Sequence, residues 1–374
     1  MQKRNLFSKS ATMLGREDER SFIKENVKNL IEGEKAGKVI YICGEAGTGK
    51  SRLISESLNE TDMKFERVFM QCDSVLKKSF NAVSYFLREY FNAEDSDKME
   101  DKKRVFEARI NQLIDESKER GEESNELLRK QSILGALIGL RWQNSFYEKI
   151  DSKQILENTI SVLFAFFKVL SSIQPVIIIA EDVHWADFET KEFFRYLTKN
   201  LNNEKIMIIA TYRFDDDGAI FSFSDEMRDE DSQIMLENLS LENCKKAVEE
   251  LLSGRASKKT TDYVFEKSQG NPFHIEALVK YLIDEKYIKQ DKGEYDISAD
   301  AADIPASISS VITARIDRME ESLRKSVLWA SVLGREFEKS MMLLLAGSDA
   351  ATAIKLGEEE SVWSCLGNDK YIFN

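Results

Sequence analysis

Histidine, proline and cysteine are all scarce in this chain of 374 residues, which holds 2 His, 3 Pro and 4 Cys. His184 and His274 are too few for an ordinary zinc enzyme. Cys43, Cys72, Cys244 and Cys365 lie far apart with no paired spacing, so neither a disulfide framework nor a metal site is expected; Cys43 and Cys72 fall in strand-like runs and read as small buried thiols. Pro175, Pro272 and Pro305 each fall at a suspected boundary. No uninterrupted apolar stretch reaches about 18 residues, and the basic start MQKRNLFSKS lacks the apolar region of a secretory signal, so the expected location is the cytoplasm, with no membrane partner. An excess of positive charge is missing too. With 53 basic against 66 acidic side chains the net charge is -13, which disfavours broad electrostatic binding to nucleic acid while leaving room for a local basic patch.

What is present is a series of short apolar runs: KVIYIC (38–43), RVFMQC (67–72), PVIIIA (175–180), KIMIIA (205–210) and, more weakly, SQIMLENL (232–239). Their near-continuous apolar character predicts strands of a parallel sheet covered by helices on both faces. Ahead of the first run, Ile23, Val27, Leu30 and Ile31 recur at helical spacing. Between the second and third lies a helical insertion, about 74–174, whose charged stretch around 95–130 reads as a solvated helix pair with Val105, Ile110, Leu113 and Ile114 as its apolar edge. From Ser240 onward strands are expected to stop and helices to take over, with Val248, Leu251 and Leu252 in one and Phe273, Ala277, Leu278, Tyr281 and Leu282 in another. Near Pro305 a third unit begins. Helices in ASISSVITARIDRMEESLRKSVLWASVLG followed by two strands in SVWSCLGNDKYIFN, around a Gly-Asn-Asp turn, suggest a winged helix. The expected division is a polar tail (1–11), an α/β domain (12–239), a helical lid (240–300) and a winged-helix domain (301–374) that breaks off within its wing.

Residues 44–51, GEAGTGKS, fit G-x-x-x-x-G-K-[ST] between a strand and a helical pattern. Gly44, Gly47 and Gly49 let the backbone of the loop, with Glu45, Ala46 and Thr48, curl its N–H groups toward phosphate oxygens, and the helix beginning near Lys50 adds its positive dipole end. Lys50 offers a point charge to the β- and γ-phosphates, and Ser51 a hydroxyl ligand to magnesium. Arg52 follows directly. The run PVIIIA, read as the strand neighbouring KVIYIC, ends in adjacent acids: Glu181 for magnesium and Asp182 to orient or deprotonate the attacking water. Beyond the run IIATY, Arg213 stands where a guanidinium reaches a γ-phosphate that ATP has and ADP lacks.

These residues resemble the STAND signal-transduction ATPases, in the branch accompanying bacterial adenylate/guanylate cyclases and large LuxR-type regulators. The resemblance runs from MLGREDER (13–20) through GEAGTGKSRL, IIIAEDVHWAD, IIATYR and SQGNPFHIEALVKYL to IPASISSVITARIDRM and SVLGREFE. Its most particular strings are D-x-H-W-A-D (Asp182 to Asp187) and G-N-P-F (Gly270 to Phe273). It implies a P-loop NTPase module of nucleotide-binding domain, helical lid and winged helix, holding ADP when closed and opening on exchange for ATP. It further implies that Pro272 lies near the adenine, that Arg213 senses the γ-phosphate, and that Gly15 and Arg16 lie in the loop running past the base. Members of this family often carry Asp where this chain has Glu181, which is expected to weaken hydrolysis more than binding. They also continue into superhelical repeats, so the chain reads as a fragment or a reduced member.

The expected function is an ATP-binding regulatory switch with weak magnesium-dependent hydrolysis, using a protein partner or output domain and able to form nucleotide-dependent oligomers. Two alternatives stand beside it. One is an origin-recognition or loader-type AAA+ protein gripping DNA through Arg315, Arg318, Arg324, Lys325 and Arg335, although Asp317, Glu320, Glu321 and Glu336 are interleaved with them. The other is a nucleotide-binding scaffold that never hydrolyses. Trp185 reads as a packing residue, His184 has no role assigned, and His274 reads as buried or surface rather than catalytic.

Overall fold

The computed structural model describes residues 13–33, 37–61, 63–73, 78–92, 98–117, 121–202, 204–213, 221–223, 227–291, 293–298, 313, 316–317, 319–334, 336–347, 350–360, 362–367 and 369–373. The chain divides into two compact units, one of Glu17–Ala46 and Leu53–Glu237, the other of Met1–Arg16, Gly47–Arg52 and Asn238–Asn374. The expected polar tail (1–11), most of the segment 299–318 including Pro305, Arg315 and Arg318, together with Arg335 and Asn368 of the expected turn, lie outside the described residues.

The larger unit runs α1 (Glu17–Glu32), β1 (Val39–Gly44), α2 (Lys50–Asn59), β2 (Glu66–Gln71), α3 (Asn81–Tyr90), α4 (Met99–Glu116), α5 (Glu122–Leu137), α6 (Phe146–Lys149), α7 (Ile155–Ile173), β3 (Val176–Glu181), α8 (Phe188–Lys199), β4 (Ile206–Tyr212) and β5 (Ser232–Leu236). All five apolar runs become strands of one parallel sheet in the order β2-β3-β4-β1-β5. Every residue of β1 and β4 is buried, as the central strands of a sheet covered on both faces must be. Burying Ile206, Ile208 and Ile209 completely contributes on the order of 1.5–3 kcal/mol each. The expectation that the acidic strand neighbours β1 is corrected here: β4 pairs with β1 on one side and β3 on the other. Periodicity identifies buried strands but carries no information on their lateral order.

One sheet face, through Val39, Tyr41, Val68, Met70, Ile178 and Ile208, shares a core with the insertion helices. Because strand side chains alternate, Ile40, Ile42, Ile177 and Met207 point to the other face; Ile23, Val27 and Leu30 of α1 and Leu53, Ile54 and Leu58 of α2 are buried as well. In α4 the apolar edge is Phe106, Ile110 and Leu113, while Val105 is 46% exposed; the aromatic one residue along wins because Phe91 and Trp142 flank it. The segment Ser152–Ile173 is long and apolar enough to cross a membrane, yet α7 buries Val162, Leu163, Phe166, Phe167 and Leu170 in the same core, which is the behaviour of a central helix.

The other unit continues with α9 (Leu241–Leu252), β6 (Arg255–Ala256), α10 (Lys258–Ser268), α11 (Pro272–Asp284), β7 (Ile288–Asp291) and β8 (Glu294–Ile297). Strands therefore do not stop at Ser240: β6, β8 and β7 form a small sheet. Its segments have only two to four residues, mostly polar and half-exposed, too short and too weakly alternating to register as strands in sequence. The three helices enclose a core of Cys244, Val248, Leu252, Val264, Leu278 and Leu282. A separate core, including Leu323, Val327, Phe337, Met342, Ile354 and Trp363, is formed by α12 (Glu321–Leu333), β9 (Glu336–Glu338), α13 (Lys339–Ala346), α14 (Ala350–Glu359), β10 (Trp363–Gly367) and β11 (Lys370–Phe373). The expected hairpin is present as the antiparallel pair β10-β11, and β9, not anticipated, adds to β11. Cys43, Cys72 and Cys244 are buried thiols, whereas Cys365 is exposed.

Candidate nucleotide site

Parallel strands bring all their carboxyl ends to one edge of a sheet, and β1, β3 and β4 deliver three candidate groups there. From the end of β1 the chain enters the phosphate loop. Gly44 is buried, paired beside Leu236 of β5, and Glu45, Ala46 and Gly47 are exposed. Gly47 (φ +81°) and Gly49 (φ +94°) adopt the left-handed backbone that costs a glycine little and any larger residue more. Between them Thr48 is 1% exposed, and Lys50, the first residue of α2, is 9% exposed. Ser51 and Arg52 are half-buried on the first turn of that helix.

Other sequence-predicted residues lie in the smaller unit, with the segment around Pro272 against the second half of this loop. The backbone N–H of Phe273 donates to the carbonyl of Gly47 at 3.3 Å. A Cβ on Gly47 would sit 2.7 Å from Asn271 Oδ1 and 2.8 Å from the Phe273 Cβ, so the close approach requires glycine there. Asn271 is the N-cap of α11, its Oδ1 accepting from the N–H groups of Phe273 (3.1 Å) and His274 (3.4 Å), and Pro272 occupies the first helical turn. Asparagine then proline is a strong helix-start pairing, since the amide satisfies orphan donors and proline has none to lose. Gly15 (φ +68°) lies against α9, where a Cβ would collide with the side chain of Asn243, and Arg16 is buried. His274 is half-buried on α11.

The acidic edge belongs to the larger unit. Glu181 ends β3 with only 3% exposure. Asp182 then turns into the left-handed region (φ 54°, ψ 45°), a conformation that short polar side chains tolerate best. Two contacts hold the turn: the Asp182 N–H donates to Thr211 Oγ1 of β4 at 3.0 Å, and Gln71 Nε2 of β2 donates to Asp182 Oδ2 at 3.1 Å. Burial, followed by the charges of Asp187 and Asp182, pushes the nearby Cys72 thiol up to about 12. Arg213 follows β4, and its guanidinium carbon lies 5.1 Å from the centre of the Trp185 ring. Asp187, last of the acidic string, faces a different task. Its carboxylate accepts from the Thr190 N–H (2.9 Å) and hydroxyl (2.7 Å) at the start of α8, and from the N–H groups of Phe80 (3.0 Å) and Asn81 (3.2 Å) at the start of α3.

The AAA ATPase domain family matches residues 12–209, more than half the sequence. The chain belongs to this family. Among solved structures, a Signal Transduction ATPase with Numerous Domains (STAND) bearing a tetratricopeptide repeat sensor, from Pyrococcus horikoshii, aligns with a TM-score of 0.53 at 12% identity, over 100% of this chain and 42% of that one. This AAA ATPase chain thus spans less than half the length of that protein. Cdc6p from Pyrobaculum aerophilum aligns with a TM-score of 0.44 at 10% identity, over 98% of this chain and 91% of the other. No curated protein matches the chain. Family match and sheet topology agree on an AAA-type P-loop ATPase domain, with a fold similar to that of the STAND protein.

Gln71, Thr211 and Asn271 have no role assigned from the sequence of this AAA ATPase, although Thr211 and Asn271 fall within its IIATYR and G-N-P-F strings. Asn271 had a readable signal in its position before Pro272. Gln71 and Thr211 had none, because their proximity to Asp182 follows from sheet order and register.

Proposed function

We propose that this chain is an ATP-binding regulatory switch with slow magnesium-dependent hydrolysis, acting in signal transduction or transcriptional regulation. The observation that carries this reading is the seating of the α11 N-terminus on the phosphate loop through the Phe273 N–H, the Gly47 carbonyl and the Asn271 side chain. Where a loop that cradles phosphate also takes a hydrogen bond from a lid helix, filling the loop and moving the helix become one equilibrium, because a ligand shifts conformations only by binding them differently.

The residues fit a nucleoside triphosphate and its metal: two left-handed glycines, a buried lysine at a helix start, and a buried carboxylate at a strand end. In this reading the N–H groups from Gly44 to Ser51 and the Lys50 ammonium hold the phosphates, with Arg52 beside them. Ser51 and Glu181 would hold magnesium, which would neutralise charge on the phosphate oxygens. Asp182, fixed by Gln71 and Thr211, orients the attacking water and accepts its proton. Arg213 contacts the γ-phosphate. Gly15, Arg16 and Pro272 line the base. The helix, strand, helix, helix, strand, strand order from α12 to β11 reads as a winged helix, poised to pass the lid's movement to a protein partner, an output domain or a second copy.

Lys50→Ala tests the site. A ligand at a hundredfold excess over its Kd stabilises the folded parent by about 2.7 kcal/mol, and in the variant that melting shift is expected to vanish. An undiminished shift would overturn the assignment. Hydrolysis is tested by single-turnover rates with Glu181→Gln and Asp182→Asn: both are expected to be slower than the parent, while equal rates in all three would favour a scaffold without catalysis.

A further inference from the structure

The string His184-Trp185 carries a resemblance but no assigned chemistry, Trp185 reading only as a packing residue, and the structure supplies a contact for its indole. Trp185 closes the single helical turn Val183–Trp185 that follows the left-handed Asp182, and it is half-buried against the sheet core. Across from it, Arg213 leaves the end of β4 with its guanidinium carbon 5.1 Å from the ring centre. Among the described residues the Arg213 Nε is buried without a hydrogen-bond partner, and the contact its guanidinium makes is with the Trp185 ring. An arginine at the rim of an acidic edge would ordinarily be held by a carboxylate; among the described residues it is an aromatic face that lies against this one. That difference has a consequence. A carboxylate partner would neutralise the guanidinium and compete with an arriving phosphate, whereas an indole fixes its plane by attraction to the ring quadrupole and leaves its full positive charge available.

We propose that Trp185 is a positioning residue for the ATP-versus-ADP discrimination of this site, holding the Arg213 guanidinium pre-oriented toward the terminal phosphate. This rests on the reading of Arg213 as the γ-phosphate contact. Pre-orientation lowers the ordering cost of forming that contact, so the gain falls on ATP and not on ADP. Two ties between the ends of β3 and β4 hold the stack in place: the Trp185 ring against Arg213, and the Asp182 N–H on Thr211, two residues ahead of that arginine. The proposal therefore also explains why the tryptophan follows the acidic pair by so few residues, since the turn carrying Asp182 delivers the ring to the adjacent strand's end.

The test is the ratio of ATP to ADP affinity, measured by titration calorimetry on the full chain for the parent and for Trp185→Leu, Trp185→Phe and Arg213→Ala. Leucine preserves apolar bulk without a ring quadrupole, and phenylalanine restores a weaker one. Trp185→Leu is expected to lower the ATP preference about three- to tenfold, the size of a partly desolvated cation–π contact, with ADP affinity unchanged and Trp185→Phe recovering most of the loss. A Trp185→Leu protein that keeps or raises the parent ratio overturns the proposal, as does an equal loss in the Leu and Phe variants, which would mean shape alone matters. Arg213→Ala separates the two layers: if it leaves the ratio intact, the sensor reading itself fails, whereas a drop there without one in Trp185→Leu removes only the role of the tryptophan. Melting temperatures of the three variants confirm folding, and a purely structural tryptophan would lower these without changing the ratio.

Discussion

Replacing Asp187 by alanine separates the structural part of the acidic string from its chemical part. Its carboxylate serves two helix starts at once, accepting from Thr190 at the head of α8 and from Phe80 and Asn81 at the head of α3. Loss of an N-cap side chain costs about 0.5–2 kcal/mol. The second helix start adds to this: the Asn81 N–H keeps the Lys78 carbonyl at 3.0 Å, but the Phe80 N–H loses its acceptor, at a cost of about 1–3 kcal/mol, partly recovered by water. Asp187→Ala is therefore expected to lose roughly 2–4 kcal/mol. For a cooperative unit of about 150–250 residues this is a fall in melting temperature of roughly 4–15 °C. Asp187→Asn keeps one acceptor oxygen but turns a donor toward the other N–H groups, so it should fall between the two. Differential scanning calorimetry gives the melting temperatures, and ATP titration well below the transition gives the affinity, which should match the parent. A variant melting within a degree or two of the parent would refute the double-cap argument, and one that melted normally but lost ATP would show that this acid belongs to the site.

Three further outcomes follow from the same geometry. Gln71→Ala should slow single-turnover hydrolysis by roughly ten- to a hundredfold, since a hydrogen bond to a charged group contributes about 1.5–3 kcal/mol, and leave ATP affinity in place; an unchanged rate would mean that Asp182 needs no holding by Gln71. Gly47→Ala should destabilise more than Gly139→Ala, because both glycines have positive φ but only the Cβ at Gly47 meets neighbours, Asn271 and Phe273; equal melting shifts would deny the seat of α11 on the loop. Burial pushes Cys72 from the ordinary 9.0 to about 12 and Cys244 to about 11, so below pH 9 these neutral thiols favour the folded chain. That contribution is lost as pH rises from about 9, where unfolded thiols ionise, through the folded values; Cys72→Ala should flatten the alkaline limb of stability, and an identical limb would count against it.

Much of the architecture was legible because burial on both faces leaves a one-dimensional trace. Ile177, Ile178 and Ile179 in one run and Ile206 to Ile209 in another are readable as sheet interior without any partner being known. The phosphate loop was legible for a related reason, its glycines, lysine and serine being consecutive. What stayed hidden is whatever depends on how strands are ordered sideways. The insertion of β4 between β1 and β3 brings Thr211 to the Asp182 N–H and Arg213 to Trp185, and the pairing of Gln71 with Glu181 brings the glutamine amide to the next residue's carboxylate. No spacing along the chain encodes those contacts. The β7-β8 hairpin was missed for the opposite reason, since short polar strands at an exposed edge have little burial to betray them.

The magnitudes also bear on how sharply a switch of this design can act. Moving a population from 1:99 to 99:1 needs about 5.5 kcal/mol of differential binding, and a charged hydrogen bond from Arg213 contributes about 1.5–3 kcal/mol. Holding that arginine on Trp185 reduces its ordering cost but adds no second contact to phosphate, so under the proposed reading the remainder must come from the other place where the phosphate loop is engaged, the Gly47 carbonyl bonded to the Phe273 N–H. One backbone hydrogen bond contributes about 0.5–1.5 kcal/mol, which still leaves a deficit. Under that reading the module on its own is expected to be a graded switch, shifting between its states by about two to three tenfold steps with nucleotide, and to become all-or-none only when a partner binds one of those states preferentially. Nucleotide-dependent protease protection of the α9–α11 segment measures this directly: a shift from full protection to full cleavage between ADP and ATP in the isolated chain would mean that a larger differential contact exists than Arg213 and the α11 seat provide.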